Sequence, residues 1–254
     1  MVEYARKGLI GVLTPQANTT VEPEFAILMP PGYAFLNARL VSDKPTINDR
    51  LGDYFAAIES SLTQFANAPM GAVAFACTGA SYLQGVEREQ AAVEAIETAR
   101  GIAFLTAGRA VAEALRHLGA RRIGLVSPYP PDLTEASVAY WRSHGFEIAA
   151  VTGAFDASSK FHPIYDLSAA RAESALAGID LDSVDGVVML GTGMPTLGPI
   201  LAHAGGTTTP ILSCMSALAW RSLRVFDRDL AEPAAMRRYF AGEGWRERFA
   251  RAMA

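Results

Sequence analysis

The chain reads Ala72-Val-Ala-Phe-Ala-Cys77-Thr78-Gly79 in its first half and Gly186-Val-Val-Met-Leu-Gly191-Thr192-Gly193 in its second. Both stretches are apolar runs that end in X-Thr-Gly, and their equivalent positions are 114 residues apart. A second pair, Ile10-Gly-Val-Leu-Thr14-Pro15 and Ile123-Gly-Leu-Val-Ser127-Pro128, repeats at an offset of 113 residues. Two pairs at nearly one offset indicate an internal duplication. The halves differ at the end of the first matched run, where one half has the thiol of Cys77 and the other has no side chain at Gly191.

Apolar runs of strand length alternate with amphipathic segments of helix length in both halves. This alternation is typical of parallel sheets that helices cover on both faces. We therefore predict an α/β fold of two pseudo-symmetric Rossmann-like (flavodoxin-like) parallel-sheet lobes, with the functional site in the cleft between them. The predicted strands are 9–13, 33–41, 72–77, 102–105, 123–126, 146–151, 186–191 and 210–213, and the predicted helices are 21–28, 48–67, 88–100, 107–118, 132–144 and 167–177.

The same pattern divides the chain into three parts. We expect a first lobe over residues 1–118, a second lobe over 119–217, and a C-terminal helical segment over 218–254 that packs back on the first lobe. The longest irregular stretch of the second half is the loop 153–164, which we expect to act as a lid over the cleft. His162 lies in that loop, where its residue type is also typical of a solvated surface position.

The composition describes a folded globular protein. The 254 residues are 50% hydrophobic with a mean hydropathy of +0.17, which allows a large buried core. The formal charge is −4 without a basic stripe, which argues against a nucleic-acid partner. No apolar run reaches the roughly 18 residues that span a bilayer, and no signal-peptide pattern is present, so we expect no membrane partner and a cytoplasmic location. Two cysteines 137 positions apart provide neither a disulfide framework nor metal-ligand spacing.

Cys77 is the first candidate for chemistry. Ligands of open parallel sheets bind beyond the C-terminal ends of the strands, and Cys77 follows such a strand. The backbone N–H groups of Thr78 and Gly79 are placed to bind an anion and to lower the pKa of the thiol. The alternative interpretation is that Cys77 is a small buried apolar residue, as many single cysteines are. Cys214 begins a predicted helix after the last strand, and we interpret it as a packing residue.

Polar residues near the other strand ends are candidates for substrate binding. Asn18 and Tyr129 lie in the loops after the first strand of each half, and each can donate a hydrogen bond to a carboxylate. Asn18 is equally well explained as a turn or helix-cap residue, and Tyr129 as a surface residue of a Pro-rich turn. The predicted oxyanion site comprises the two X-Thr-Gly turns, with Thr78, Gly79, Gly191, Thr192 and Gly193.

These motifs resemble the Asp/Glu racemase superfamily, and within it the branch of the maleate cis-trans isomerases and arylmalonate decarboxylases. The residues that carry the resemblance are Pro15-x-x-Asn18-Thr19-Thr20-Val21-Glu22-Pro23-Glu24, Ala76-Cys77-Thr78-Gly79-Ala80, Ser127-Pro128-Tyr129 and Gly191-Thr192-Gly193. The resemblance implies catalysis without a cofactor by cysteines between the lobes, one per lobe in the racemases. The first-lobe cysteine corresponds to Cys77 and the second to Gly191. It also implies that Asn18 and Tyr129 hold substrate carboxylates.

The glycine at 191 departs from the two-cysteine pattern and leaves several activities open. One thiol suffices for cis-trans isomerisation, in which Cys77 adds to the alkene of a small unsaturated dicarboxylate, and the loop from Asn18 to Glu24 favours this activity. The alternatives are an arylmalonate-type decarboxylase with Cys77 as proton donor, an Asp/Glu-type racemase, and a non-catalytic small-acid binding protein. In each case we expect a small mono- or dicarboxylate ligand, no cofactor and a homo-oligomer.

Overall fold

The computed structural model describes residues 2–158 and 163–254, and it shows two four-stranded parallel sheets flanked by helices. The first sheet contains β1 (Gly8–Pro15), β2 (Tyr33–Leu40), β3 (Ala72–Phe75) and β4 (Ala103–Thr106), and the second contains β5 (Arg122–Ser127), β6 (Glu147–Gly153), β7 (Gly186–Met189) and β8 (Ile211–Ser213). The α-helices are α1 (Val21–Leu28), α2 (Ile47–Ala56), α3 (Ile58–Leu62), α4 (Thr78–Arg100), α5 (Ala107–His117), α6 (Pro131–Ser143), α7 (Ala169–Leu176), α8 (Leu197–His203), α9 (Cys214–Leu223), α10 (Pro233–Phe240) and α11 (Arg246–Ala252).

The two sheets repeat one topology. Their strand orders are β2-β1-β3-β4 and β6-β5-β7-β8. The register repeats as well, because Ile10 pairs with Ala72 in the first sheet and Ile123 pairs with Gly186 in the second. All residues of β1, β3 and β7 are buried, as expected for parallel strands that have helices on both faces. The predicted fold class of two pseudo-symmetric α/β lobes is confirmed.

The helix predicted over 48–67 is wrong in its length. It is divided into α2, α3 and a 3₁₀ turn at 63–65, with the break at Ala57 (φ −86°, ψ 2°). The break allows Phe65 to turn onto β1, where its ring comes within 3.0 Å of the position that a Cβ at Gly11 would take. Tertiary packing therefore overrides the continuous apolar periodicity of this segment.

The start of α4 also differs from the sequence prediction. The helix begins at Thr78, directly after Cys77, rather than at residue 88. Its first turn, Thr78-Gly-Ala-Ser81, consists of small residues that are typical of a loop, and Gly85, with φ 76°, kinks the helix. Cys77 is therefore the N-cap residue of α4, whose first segment before the kink is 78–84. The helix α8 was not predicted.

The C-terminal helices contact the first lobe. The helix α9 packs against α1 and α5, and Arg248 of α11 donates to the carbonyl oxygens of Ile27 (2.6 Å) and Leu28 (3.1 Å) at the end of α1. Trp245, just before α11, is 1% exposed. Within residues 2–158 and 163–254, none of the helices is both long enough and apolar enough to cross a membrane.

Candidate active site

A small cavity lies between the lobes, where the C-terminal ends of β3 and β7 face each other. Its volume is about 30 Å³, enough for about one water molecule. Cys77 opens into it and is 3% exposed. The described residues that line it are Pro15, Ile47, Arg50, Leu51, Tyr54, Cys77, Thr78, Gly79, Tyr129, Ile164, Tyr165, Thr192 and Gly193. The structure therefore brings Cys77 and both X-Thr-Gly turns to one site.

The thiol of Cys77 is protonated in this closed cavity. Burial raises its pKa to about 12, although the backbone N–H of Ala80 in the first turn of α4 faces the sulfur and lowers the pKa in part. The expectation that the helix N-terminus lowers the thiol pKa is therefore wrong for the closed site. Desolvation outweighs the helix end because Cys77 is 3% exposed and faces a cavity with room for about one water molecule.

Thr78 and Tyr129 join the two lobes next to Cys77. The Thr78 hydroxyl and the Tyr129 hydroxyl are 3.1 Å apart, and both side chains are buried. Burial raises the pKa of Tyr129 well above its usual value. Tyr129 is thus a neutral O–H group at the rim of the cavity, not a surface residue of a turn.

Thr192 and Asn18 form a second link across the cleft. The Thr192 hydroxyl donates to the carbonyl oxygen of Ala76 at 2.8 Å, and it accepts a hydrogen bond from Asn18 Nδ2 at 3.4 Å. Asn18 Oδ1 accepts the backbone N–H groups of Thr20 (2.9 Å) and Val21 (3.1 Å) at the start of α1. Asn18 thus has the turn role that the sequence also allowed, two residues before the N-cap Thr20, and it is not among the described residues that line the cavity.

Gly191 makes room for Tyr129. Its φ is +81°, and a Cβ there would lie 2.9 Å from Pro128 Cγ and 3.1 Å from the Tyr129 hydroxyl oxygen. A side chain at 191 would therefore crowd both Pro128 and the Tyr129 hydroxyl. Gly193 likewise leaves room for the ring of Tyr165, because a Cβ at 193 would overlap that ring.

One wall of the cavity was not predicted from the sequence. Four residues of α2 line it, Ile47, Arg50, Leu51 and Tyr54, at the i, i+3, i+4 and i+7 spacing of one helix face. Arg50 is the one cationic residue among the described lining residues, and its guanidinium donates to the carbonyl oxygens of Lys44 (2.6 Å) and Pro45 (3.2 Å). The spacing was visible in the sequence, but the direction of that face was not.

Cys214 is buried and does not line the cavity, in agreement with a packing role. Its surroundings are nevertheless polar. The sulfur lies 4.0 Å from the hydroxyl of Tyr82, whose ring packs on that of Tyr129. Cys214 therefore belongs to the layer of side chains directly behind the cavity.

Further polar contacts hold the lobes together around the site. Thr20 Oγ1 donates to the carbonyl oxygen of Gly193 at 2.8 Å, and Glu24 accepts the backbone N–H of Thr196 at 2.7 Å. Glu24 is 5% exposed, and burial raises its pKa to about 7. His162 and part of the predicted lid lie outside the described residues. Among the described residues, His, Cys, Asp and Glu form no group of three that could hold a metal ion.

The comparison with known proteins agrees with this geometry. The family model of arylmalonate decarboxylase matches residues 10–240. The chain belongs to the arylmalonate decarboxylase family. A maleate isomerase of Nocardia farcinica is 29% identical over 237 residues, which cover 90% of this chain and 94% of that protein. The predicted superfamily branch is confirmed.

Two solved structures show how far the similarity extends. One is a cysteine-to-serine variant of the Nocardia farcinica maleate cis-trans isomerase with a covalently bound succinylcysteine intermediate. It matches with a TM-score of 0.76 at 26% identity, over 87% of this chain and 93% of that one. The other is arylmalonate decarboxylase, with a TM-score of 0.70 at 19% identity over 86% and 92% of the two chains. The decarboxylase shares the fold.

Proposed function

We propose that the protein is a cofactor-independent, cysteine-dependent cis-trans isomerase of a small unsaturated dicarboxylate such as maleate, with Cys77 as the nucleophile. The observation that carries the proposal is the position of Cys77, directly before α4 and open to the cavity between the lobes. The relatives support it, since a similar isomerase has been captured with a succinylcysteine.

The reaction we propose conserves the proton that the buried thiol carries. The sulfur forms a bond to one alkene carbon, the sulfur proton is transferred through a neighbouring hydroxyl, and the other alkene carbon receives a proton. The product is a succinyl thioether in which the former double bond is a single bond and can rotate. The reverse elimination then gives the trans isomer and restores the thiol. The raised pKa of Cys77 is compatible with this route because no free thiolate has to accumulate.

Two sets of hydrogen-bond donors would hold the substrate carboxylates. The backbone N–H groups of Thr78 and Gly79 at the start of α4 form one anion site. Arg50, which also lines the cavity, adds a positive charge. Tyr129 and the turn at Thr192 and Gly193 form the second site across the cleft.

Asn18 would act through Thr192, to which it donates its amide proton. We propose these binding roles for all the residues named above. We also propose that the lobes span residues 1–118 and 119–217, that the segment 218–254 packs back on the first lobe, and that the protein is a homo-oligomer.

Substrate entry requires the cavity to open. A volume of about 30 Å³ does not hold a four-carbon dicarboxylate. The wall at Ile164 and Tyr165 is tied to the first lobe by the Thr19 hydroxyl, which donates to the carbonyl oxygen of Tyr165 at 3.2 Å. We expect this segment to move away from α2 when substrate enters, which is the role predicted for the loop 153–164.

A decarboxylase of arylmalonate type is the second candidate. A thiol held protonated by burial is suited to donate a proton to the enediolate that loss of carbon dioxide leaves. The apolar part of the wall, with Ile47, Leu51 and Tyr54, would accommodate an aryl group. Racemisation has less support because residue 191 provides no second acid. A binding protein without activity would need Cys77 to be inert.

The test is proton NMR of the protein with maleate, and separately with phenylmalonate, in deuterated buffer. We expect fumarate from maleate with the wild type and none with Cys77→Ser, which keeps the shape of the side chain and loses the nucleophile. Cys214→Ser is the matched control and should convert maleate at close to the wild-type rate. Phenylacetate carrying one deuterium, without fumarate, would move the assignment to the decarboxylase. Fumarate formation by Cys77→Ser would remove Cys77 from the mechanism.

A further inference from the structure

We propose that Thr192 is a positioning residue of the active site, whose hydroxyl holds the backbone carbonyl directly before Cys77 from the opposite lobe and so fixes the direction of the nucleophile. This inference rests on the proposed isomerase function. It gives the Thr192 side chain a role other than binding a substrate carboxylate, which the backbone N–H groups of the same turn can still do.

The duplication places Thr78 and Thr192 at equivalent positions, yet their hydroxyls have different partners. The Thr78 hydroxyl pairs with the Tyr129 hydroxyl at 3.1 Å. The Thr192 hydroxyl donates to the carbonyl oxygen of Ala76 at 2.8 Å, and the residue is 5% exposed. A threonine hydroxyl has one proton to donate, and in Thr192 the backbone of the first lobe receives it. The Thr192 side chain therefore has no proton left for a substrate carboxylate in the closed site.

Both lobes hold Ala76. Its backbone N–H donates to the carbonyl oxygen of Leu13 in β1 at 2.9 Å, and its carbonyl oxygen accepts the Thr192 hydroxyl. Ala76 and Cys77 connect β3 to α4 and belong to neither element. Because the peptide unit between them is planar, a bond to the Ala76 oxygen restricts the direction in which the Cys77 side chain leaves the backbone. The hydroxyl of the second lobe thus supplies a restraint on the nucleophile at the point where the strand has ended.

Asn18 keeps the Thr192 hydroxyl in this orientation. Its Oδ1 accepts the backbone N–H groups of Thr20 and Val21, which leaves its Nδ2 to donate to the Thr192 oxygen at 3.4 Å. Because an N–H approaches the Thr192 oxygen from this side, the Thr192 proton points away from Asn18 and towards the Ala76 carbonyl. Asn18 therefore acts on Cys77 through Thr192, although it does not line the cavity.

The Thr192–Ala76 hydrogen bond exists only while the two lobes are closed on each other. Without it, a buried carbonyl oxygen would lose its cross-lobe donor, and this loss favours arrangements in which water reaches the oxygen. Cys77 is 3% exposed and follows directly after that carbonyl. We therefore expect loss of the Thr192 hydroxyl both to misdirect the thiol and to increase its access to reagents.

The kinetic test compares Thr192→Val, which keeps the shape of the side chain, with Thr192→Ser, which keeps the O–H group. We expect Thr192→Val to lower kcat for maleate about tenfold, with KM changed less than about twofold, and Thr192→Ser to retain most of the wild-type kcat. Thr209→Val is the matched control. The Thr209 hydroxyl also donates to a carbonyl oxygen, that of Leu181 at 2.9 Å, but Thr209 does not line the cavity. Its removal should leave kcat and KM unchanged.

The kinetic constants of Thr192→Val and Thr192→Ser distinguish three roles of the side chain. If the Thr192 hydroxyl bound a substrate carboxylate, Thr192→Val would mainly raise KM. If Thr192 were only a packing residue, Thr192→Ser would lose more activity than Thr192→Val, because valine keeps the volume. Either of these two results would overturn the proposal.

The part of Asn18 is tested by a double-mutant cycle. We expect Asn18→Ala to lower kcat in the wild type and to have little further effect in Thr192→Val, which lacks the hydroxyl through which Asn18 acts. Equal losses of kcat in the two backgrounds would overturn the link from Asn18 through Thr192.

A further measurement does not depend on turnover. Alkylation of Cys77 by iodoacetamide is followed by mass spectrometry at one fixed pH. We expect Cys77 to react about fivefold faster in Thr192→Val than in the wild type, because the site opens more often. Thr209→Val, which controls for a general loss of stability, should react at the wild-type rate.

Equal alkylation rates in Thr192→Val and the wild type would overturn the proposal. If the wild type does not convert maleate, the proposed function fails, and the alkylation rates still decide whether the Thr192 hydroxyl holds Cys77 in place.

Discussion

Replacing Glu24 by glutamine should make the fold less sensitive to alkaline pH. Glu24 of α1 is buried and accepts the backbone N–H of Thr196 at 2.7 Å, which ties the two lobes together. Burial raises its pKa from 4.5 to about 7, and this shift is worth about 3 kcal/mol at about 1.4 kcal/mol per pKa unit.

The direction of the Glu24 pKa shift determines how the stability changes with pH. A carboxyl whose pKa is higher in the folded than in the unfolded state stabilises the fold below pH 4.5, and this contribution is lost as the pH rises through 7. Glutamine keeps a neutral side chain with an acceptor for the Thr196 N–H at every pH. The stability of Glu24→Gln relative to the wild type should therefore rise by about 2.5 kcal/mol between pH 5 and pH 8.5.

Urea unfolding of both proteins across this range measures the difference. Glu173→Gln, which changes an exposed carboxylate of α7, is the matched control and should follow the wild type at each pH. A stability difference between Glu24→Gln and the wild type that stays constant from pH 5 to pH 8.5 would contradict this account. Glu24 would then not be a buried carboxyl that ties the two lobes together.

Three further predictions concern the cavity. Arg50→Met should raise KM for the dicarboxylate about tenfold or more with a smaller change in kcat, because it removes a charge-assisted contact, and steady-state kinetics will show this. Gly191→Ala should destabilise the protein by more than Gly119→Ala in urea unfolding. Both glycines have φ near +80°, and this backbone conformation alone costs an alanine about 1–3 kcal/mol at either position. Only at 191 does the new Cβ also meet Tyr129. Alkylation of Cys77 by iodoacetamide should be slow at pH 7 and should still accelerate above pH 9, since burial raises the thiol pKa to about 12, and a plateau near pH 8 would contradict this.

The duplication was the part of the fold that the sequence predicted best. The two X-Thr-Gly runs and their common offset indicated two equivalent sheets, and the pairing of Ile10 with Ala72 and of Ile123 with Gly186 reproduces that offset. Helix boundaries were predicted well where a local signal exists, as for α1, whose bounds match the prediction. The break at Ala57 and the start of α4 at Thr78 were missed because packing against β1 and the cleft decides them.

The candidate site was predicted in its centre and missed at its edges. Cys77, Thr78, Tyr129 and Thr192 come together because each follows a strand whose end meets the cleft. The contribution of Arg50 depends on the direction of the α2 face, which no local pattern reports. The raised pKa of Cys77 likewise depends on how completely the cleft closes.

Cys214 shows the same limit, since its hydroxyl neighbour Tyr82 comes from α4, far away in the sequence.

The most direct test of the account is to trap the covalent intermediate on Cys77. The wild-type protein is mixed with maleate, quenched in acid during turnover, digested, and analysed by mass spectrometry. We predict a peptide containing Cys77 that is heavier by one molecule of maleic acid, with the peptide containing Cys214 unmodified. An adduct on Cys214, or turnover of maleate with Cys77 never modified, would contradict the assignment of Cys77 as the nucleophile.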